Sequence, residues 1–123
     1  MTYLFAILGT GKGSWATLAQ LVRQGNFERV ILVTNQFGKE KFTPDAKTDL
    51  LVTNFDQPIA TMRDDIKQKI QPLLQNLLDT DVAVNLVSGA GPEHMALLSA
   101  IIQSGLGIRF VATEPNRADV IEI

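Results

Sequence analysis

The sequence predicts an α/β fold in which a mainly parallel sheet carries helices on both faces. Five short apolar runs alternate along the chain with segments of helical periodicity. These runs are continuously apolar, which is typical of strands buried on both faces of a parallel sheet. Two of the runs lead into glycine-rich turns that each open a helix. Strands that alternate with helices favour a parallel sheet. The crossovers of such a sheet are right-handed, which leaves few possible strand orders.

The predicted strands are residues 3–8, 29–34, 49–53, 82–87 and 108–113, and residues 119–123 could add a short sixth strand at the edge. The crossover rule favours the doubly wound, Rossmann-like strand order 3-2-1-4-5. Residues 54–58 form a connector that could reach toward the ligand side of such a sheet.

Three helices are predicted from apolar residues at three- and four-residue steps. The first spans residues 15–24 with Ser14 as its N-cap. The second spans residues 61–78, where Pro72 should kink or split it. The third spans residues 92–104 with Pro92 at its first position. Residues 35–47 are expected to form a short helix or a loop.

The composition narrows the classes of function. With 123 residues, 46% of them hydrophobic and 20% charged, the chain predicts one globular domain spanning residues 1–123. It has no cysteine and one histidine. A disulfide framework, a thiolate metal site and a multi-histidine site within one subunit are therefore excluded, and we expect neither a metal nor a cofactor.

The charge balance argues against a large basic interface. The formal net charge is −2 at pH 7, whereas proteins that grip duplex nucleic acid usually carry a basic face. No apolar run approaches the roughly 20 residues of a membrane span, and no secretion signal is visible. We therefore expect a cytoplasmic protein that contacts neither membrane nor duplex nucleic acid, in which any phosphate is held by backbone N–H groups.

The predicted topology and the positions of the two glycine-rich turns indicate the same ligand site. In the predicted order, the first and fourth strands are neighbours at the switch point, where ligands of doubly wound folds bind. The turns that follow these strands are residues 9–14 and 87–92, the two glycine-rich turns. Glycine allows close approach of the backbone, and helix N-termini attract anions. The two turns are thus predicted to form one anion-binding crevice.

The first turn matches neither a Walker A loop nor a complete Gly-x-Gly-x-x-Gly fingerprint, because serine occupies position 14. Lys12 adds a point charge, and Thr10 and Ser14 add hydroxyls. The alternative is a tight strand-to-helix turn that only caps the helix.

The residues on either side of the second turn contribute an amide and an imidazole to the predicted crevice. Asn85 lies in an apolar strand, where its amide needs partners. Either neighbouring backbone groups satisfy the amide, or it reads a base or ribose or braces the turn. His94 donates to a phosphate or 2′-hydroxyl or moves a proton, unless it is a half-exposed helix residue. Glu93 suits the helix dipole but would repel phosphate, so its side chain is expected to point away. Trp15 is expected in the core rather than stacked on a base, and Arg109 is expected to be structural.

The predicted ligand-binding residues all lie in or beside the two turns: Gly9, Thr10, Gly11, Lys12, Gly13, Ser14, Asn85, Ser88, Gly89, Ala90, Gly91 and His94.

Residues 84–92, followed by Met95 and a helix rich in leucine and alanine, resemble the turn after the fourth strand of CRISPR-associated Rossmann-fold (CARF) domains. Residues 8–11 resemble the first-strand loop of that family, and the order of elements fits nearly the whole chain. CARF domains bind cyclic oligoadenylate second messengers across a two-fold dimer. The resemblance implies a free-standing, homodimeric sensor in antiviral defence that binds such a messenger or a related nucleotide and regulates an effector protein.

The resemblance also implies roles for individual residues. Thr10, Lys12 and Ser14 would contact phosphate or ribose, and Asn85, Ser88 and Gly89 would line the other wall. One alternative is a metal-independent ring nuclease that cleaves the messenger, with Lys12, Ser14 and His94 as its catalytic candidates. Another is a nucleotide-binding or protein-interaction module outside CRISPR defence.

Overall fold

The computed structural model describes residues 2–123, apart from the side chain of Lys12. Six strands form one sheet: β1 (Tyr3–Ile7), β2 (Arg29–Thr34), β3 (Thr48–Val52), β4 (Asp81–Asn85), β5 (Gly107–Ala112) and β6 (Ile121–Glu122). The strand order is β3-β2-β1-β4-β5-β6. The first five strands are parallel and β6 is antiparallel to β5. The predicted doubly wound order, with its short sixth edge strand, is confirmed.

Four α-helices surround the sheet: α1 (Trp15–Gln24), α2 (Gln36–Lys41), α3 (Ile59–Ile70) and α4 (Gly91–Gln103). Both faces are buried at the centre of the sheet, which explains why β1 is apolar throughout. Phe5 and Ile7 join the core beneath α3 and α4, whereas Leu4 and Ala6 join the core beneath α1. All four side chains are fully buried, as the alternation of side chains along a central strand requires.

The helical segment predicted for residues 61–78 is split by its proline. α3 ends at Ile70, and a 3₁₀ turn follows at Gln71–Leu74. Pro72 has no N–H to continue the hydrogen-bond ladder, and its ring conflicts with the carbonyl one turn earlier. The helical segment was expected to reach Leu78, but it ends earlier, and the Leu78 side chain is 96% exposed.

Two further expectations about helix starts are resolved. Residues 35–47 contain the short helix α2, and the Asn35 Oδ1 caps it by accepting from Gly38 N at 3.1 Å. α4 begins at Gly91, so Pro92 is its second residue rather than its first. Within residues 2–123, no helix combines the length and the apolar composition that a membrane span requires.

Ion pairs join β5 to its two neighbours, β4 and β6, away from the predicted crevice. Arg109 Nε lies 3.0 Å from Asp81 Oδ1, and its Nη1 lies 3.0 Å from Glu122 Oε1. Hydrogen bonds to Glu122 and Asp81 raise the pKa of Arg109 further above its usual range. These contacts agree with the structural role expected for Arg109.

We predict that Gly38→Ala destabilises the fold. A Cβ at Gly38 would lie 1.9 Å from Thr34 Oγ1, which donates to Leu8 O at 2.9 Å just before the first turn. Relieving this overlap disturbs that buried hydrogen bond, and overpacking of this kind costs about 1–3 kcal/mol. Urea unfolding should show the loss.

The matched control is Gly13→Ala, because a Cβ there meets no heavy atom within 4 Å. Its free energy of unfolding should stay within about 0.5 kcal/mol of the parent protein. Equal stabilities for the two alanine variants would contradict the prediction.

Candidate functional site

The two glycine-rich turns meet at the carboxyl ends of β1 and β4. Gly9 N donates a buried hydrogen bond of 2.9 Å to Ser88 Oγ, across 79 residues of sequence. A Cβ at Gly9 would lie 2.9 Å from Gly89 N and 3.3 Å from Ser88 Oγ. Only glycine permits this approach without displacing backbone. The predicted convergence of the two turns is therefore present.

The hydrogen bonds of Ser88 hold the two turns together. Its side chain is buried, and its Oγ lies 2.6 Å from Ser14 Oγ as well as accepting from Gly9 N. Its carbonyl oxygen lies 2.8 Å from His94 Nε2. One serine thus connects the turn after β1, the residue before α1 and the first turn of α4.

Ser14 occupies the predicted N-cap position of α1, but its side chain makes no capping hydrogen bond. Its backbone is already helical (φ −85°, ψ −11°). A 3₁₀ turn at Lys12–Ser14 leads directly into α1. The Ser14 hydroxyl instead lies within hydrogen-bond distance of Ser88 Oγ and, at 3.1 Å, of Gly11 O. Since a hydroxyl has one proton, Ser14 donates to only one of them at a time.

Trp15 braces the first turn from the core side. Its Nε1 donates to Gly9 O at 2.7 Å, and its ring meets Phe42 edge to face at 5.7 Å. The side chain packs against the core beneath α1. Trp15 is half-buried against the core and does not line the crevice, and its indole holds the carbonyl of the glycine that approaches Ser88.

Asn85 and Gly89 shape the second turn. Asn85 Nδ2 donates to Val111 O at 2.8 Å, and its Oδ1 accepts from Val87 N at 3.0 Å. Both partners are backbone groups, as in the alternative in which neighbouring backbone satisfies the amide, and the bond to Val87 N also braces the turn. Gly89 has φ +95°, and a Cβ there would lie 2.5 Å from Ile7 Cγ2, so glycine is required.

Glu93 was expected to point away from the crevice, and this is wrong. The residue lines the crevice, and its Oε2 accepts from Ala90 N at 2.7 Å. This contact is half of a capping box, in which a glutamate in the first helical turn reaches back to the N–H at the start of the helix. One backbone donor predicted to be available for an anion is therefore occupied by the chain's own carboxylate.

The crevice between the turns has a volume of about 330 Å³. It is lined by backbone and by small or polar side chains together with one aromatic ring: Gly9, Thr10, Gly11, Ser14, Phe55, Val87, Ser88, Gly89, Ala90 and Glu93. Seven of these ten residues were predicted from the sequence. Phe55, Val87 and Glu93 were not, although the connector after β3 was expected to reach this side.

The remaining predicted residues do not line the crevice as the structure describes it. Asn85 and His94 lie behind the wall of the second turn, where both brace it. Gly13 and Gly91 are exposed beside the crevice. The side chain of Lys12 lies outside the described part of the structure, so its predicted role stays a prediction.

A larger recess, of about 730 Å³, lies at the carboxyl ends of β2 and β3. Three of its polar side chains bond to one another: Asp65 Oδ2 accepts from Thr53 Oγ1 at 2.6 Å and from Lys69 Nζ at 3.0 Å. Burial raises the pKa of the Asp65 carboxyl, but the hydrogen bonds from Thr53 and Lys69 lower it, and the lowering prevails. Since the recess lies away from the switch point, we favour the smaller crevice as the site.

The described part of the chain contains no cluster of side chains suited to bind a metal ion. Among residues 2–123, no three histidine, aspartate or glutamate side chains come close enough together to hold a metal ion. The crevice instead offers the hydroxyls of Thr10 and Ser14, backbone groups and the carboxylate of Glu93. Such a surface can bind a polar ligand through hydrogen bonds.

The architecture is similar to that of a solved structure of Csm6 from Enterococcus italicus, which is bound to cyclic hexa-2′-fluoro-hexa-dAMP. The TM-score is 0.68 over the whole of this chain, at 12% sequence identity. Csm6 is a CARF-domain protein. The chain has a CARF-like fold.

The likeness confirms the resemblance at the level of the fold. This chain spans 41% of the length of the Csm6 chain, so the CARF-like fold corresponds to a part of that protein. No protein-family model and no curated protein sequence matches the chain.

We predict that Ser88→Ala lowers the free energy of unfolding by about 1–3 kcal/mol, because it leaves the buried Gly9 N–H without its acceptor. Chemical denaturation followed by circular dichroism measures the loss. Thr10→Val is the control: Thr10 is exposed at the crevice, and its substitution should change stability by less than about 0.5 kcal/mol. A Ser88→Ala variant as stable as the Thr10→Val variant would show that the bond between the turns contributes little.

Proposed function

We propose that the crevice binds a cyclic oligoadenylate or a related nucleotide, and that the chain acts as a homodimeric sensor of this messenger in CRISPR antiviral defence. The observation that carries the proposal is the junction of the two glycine-rich turns at the switch point of a CARF-like fold, with Gly9 N 2.9 Å from Ser88 Oγ. The ligand named for the Csm6 structure, a cyclic hexanucleotide, indicates the chemical class.

The chemistry of the crevice supports a phosphodiester ligand. Glycines bring backbone close to the bound molecule, and the start of a helix adds N–H groups that favour negative charge. The exposed hydroxyl of Thr10 provides a further donor. Phe55 provides an aromatic surface on which a base can stack.

Sensing is favoured over cleavage by the bonds of two catalytic candidates. Ser14 Oγ lies 2.6 Å from Ser88 Oγ, and His94 Nε2 lies 2.8 Å from Ser88 O. Both groups therefore hold the turns together. Ring cleavage would need a 2′-oxygen placed in line with its phosphate and stabilisation of the charge that develops. The experiment must therefore distinguish a sensor, which binds the ring, from a ring nuclease, which cleaves it.

We predict that cyclic tetra- or hexa-adenylate raises the melting temperature of the protein. A ligand at a hundred times its Kd stabilises by about 2.7 kcal/mol, a shift of several degrees for a domain of this size. Lys12→Ala and Thr10→Val should reduce the shift, and Thr10→Val should do so without changing the unliganded melting temperature. No shift with any cyclic oligoadenylate would contradict the proposal.

Chromatography of the ligand after the same incubation distinguishes the two candidate activities. An intact ring supports a sensor, whereas linear oligoadenylate produced by an excess of protein would support the ring nuclease. Linear oligoadenylate and AMP serve as comparison ligands, and equal shifts with these and with the rings would favour a general nucleotide-binding module.

We predict that Glu93→Gln strengthens binding of the anionic ligand about fivefold at low salt, since removal of a carboxylate from the crevice wall removes a repulsion of about 1 kcal/mol. Glutamine retains an oxygen that can accept from Ala90 N. The gain should shrink as salt is raised.

Glu28→Gln is the matched control, because it makes the same change of charge at an exposed position preceding β2, at the opposite end of the sheet. Isothermal titration of each variant gives the Kd. If the two variants bound alike, the crevice carboxylate would not be near the ligand.

A further inference from the structure

The peptide that joins Gly9 to Thr10 forms part of the crevice wall. It belongs to neither a strand nor a helix, because β1 ends at Ile7 and the 3₁₀ turn begins at Lys12. Glycine tolerates many backbone angles, so a peptide that follows glycine can turn either its carbonyl oxygen or its N–H toward the crevice. Only the second orientation offers an anion a hydrogen-bond donor.

The indole of Trp15 fixes which orientation this peptide adopts. Its Nε1 donates to Gly9 O at 2.7 Å. Because Trp15 does not line the crevice whereas Gly9 and Thr10 do, the Gly9 oxygen is turned toward the core side of the wall. The C=O and N–H of a trans peptide point in opposite directions, and the described residues contain no cis peptide bond. The Thr10 N–H is therefore turned toward the crevice.

The Thr10 N–H has no acceptor within the described part of the chain. Two neighbouring backbone donors are already bonded: Gly9 N to Ser88 Oγ at 2.9 Å, and Ala90 N to the Glu93 carboxylate at 2.7 Å. Thr10 is also exposed. Its N–H is therefore a donor of the crevice wall that remains available to a ligand.

The indole is itself held by two aromatic side chains. Its ring meets that of Phe42 edge to face at 5.7 Å, and lies tilted at 6.1 Å from the ring of Phe37. Phe37 is the second residue of α2, and Phe42 follows the last. Trp15 is the first residue of α1. Aromatic packing between α2 and the start of α1 thus supports the indole that orients the peptide.

We propose that Trp15 is a positioning residue for ligand binding, whose indole holds the peptide so that the Thr10 N–H donates to an oxygen of a bound anion. The same bond keeps the Gly9 oxygen, which would repel an anion, directed away from the crevice. A donor fixed in advance needs no reordering when the ligand arrives. That the anion is the phosphate of a cyclic oligoadenylate rests on the proposed function, whereas the direction of the N–H does not.

The test compares Trp15→Phe, which removes the indole donor and keeps a ring, with Phe27→Leu as the matched control. Phe27 is buried in the same core beneath α1 but precedes β2, at the opposite end of the sheet. Both variants should lower the melting temperature. Only Trp15→Phe should also weaken binding of cyclic tetra- or hexa-adenylate, by about tenfold, since a well-aligned hydrogen bond to a charged group is lost.

Isothermal titration below both melting temperatures gives the Kd. Because the chain has one tryptophan, its replacement by the benzothiophene analogue, which carries sulfur in place of the N–H and has almost the same shape, gives the same comparison if Trp15→Phe does not fold. Trp15→Phe and Phe27→Leu variants with equal Kd, or an analogue that binds as tightly as the parent protein, would overturn the inference.

Nuclear magnetic resonance observes the donor directly. Cyclic tetra-adenylate or inorganic phosphate should move the Thr10 amide proton of the parent protein downfield, and the movement should be smaller without the indole N–H. A Thr10 amide that neither anion moves would overturn the inference even where the ring binds. The proposed function fails differently: if phosphate moves the amide in this indole-dependent way but no cyclic oligoadenylate binds, the positioning role is confirmed and the messenger is rejected.

Discussion

The site depends on one close approach, in which Gly9 N donates to Ser88 Oγ over 2.9 Å at the carboxyl ends of β1 and β4. The absence of a side chain at Gly9 allows the two turns to touch, and burial of the hydroxyl makes the bond costly to lose. Ser14, Trp15 and His94 each bond to one of these two residues. The crevice is the space that remains beside this junction, so its shape follows from the junction.

The electrostatic character of the crevice is local. The chain has a formal net charge of −2, and the crevice wall includes the carboxylate of Glu93. That carboxylate stabilises the start of α4 by accepting from Ala90 N. The same group that supports the helix thus raises the energy of a bound anion. Affinity in such a site depends on donors that point at the ligand and on their distance from the carboxylate rather than on net charge.

The helix α4 supports the wall of the crevice. Its first turn holds Glu93 and His94, which bond to the turn after β4. Farther along the helix, Ala96, Leu97, Ala100 and Ile101 are buried in the core that α4 shares with α3 and the sheet. The second turn is therefore held by a helix that is itself anchored in the core.

The sequence by itself determined the strand order, the two turns and their meeting point. Apolar continuity, helical spacing and the crossover rule act over short stretches of chain, and the strand order follows from them. Pro72 likewise acts locally, and it splits the helix as predicted. Only the tertiary structure decided which partner each polar side chain takes. The Ser14 hydroxyl goes to Ser88, 74 residues away, rather than capping its own helix. Glu93 lines the crevice because its carboxylate accepts from the Ala90 N–H. Phe55 also lines the crevice, but it belongs to a loop whose sequence has no periodicity from which its position could be predicted.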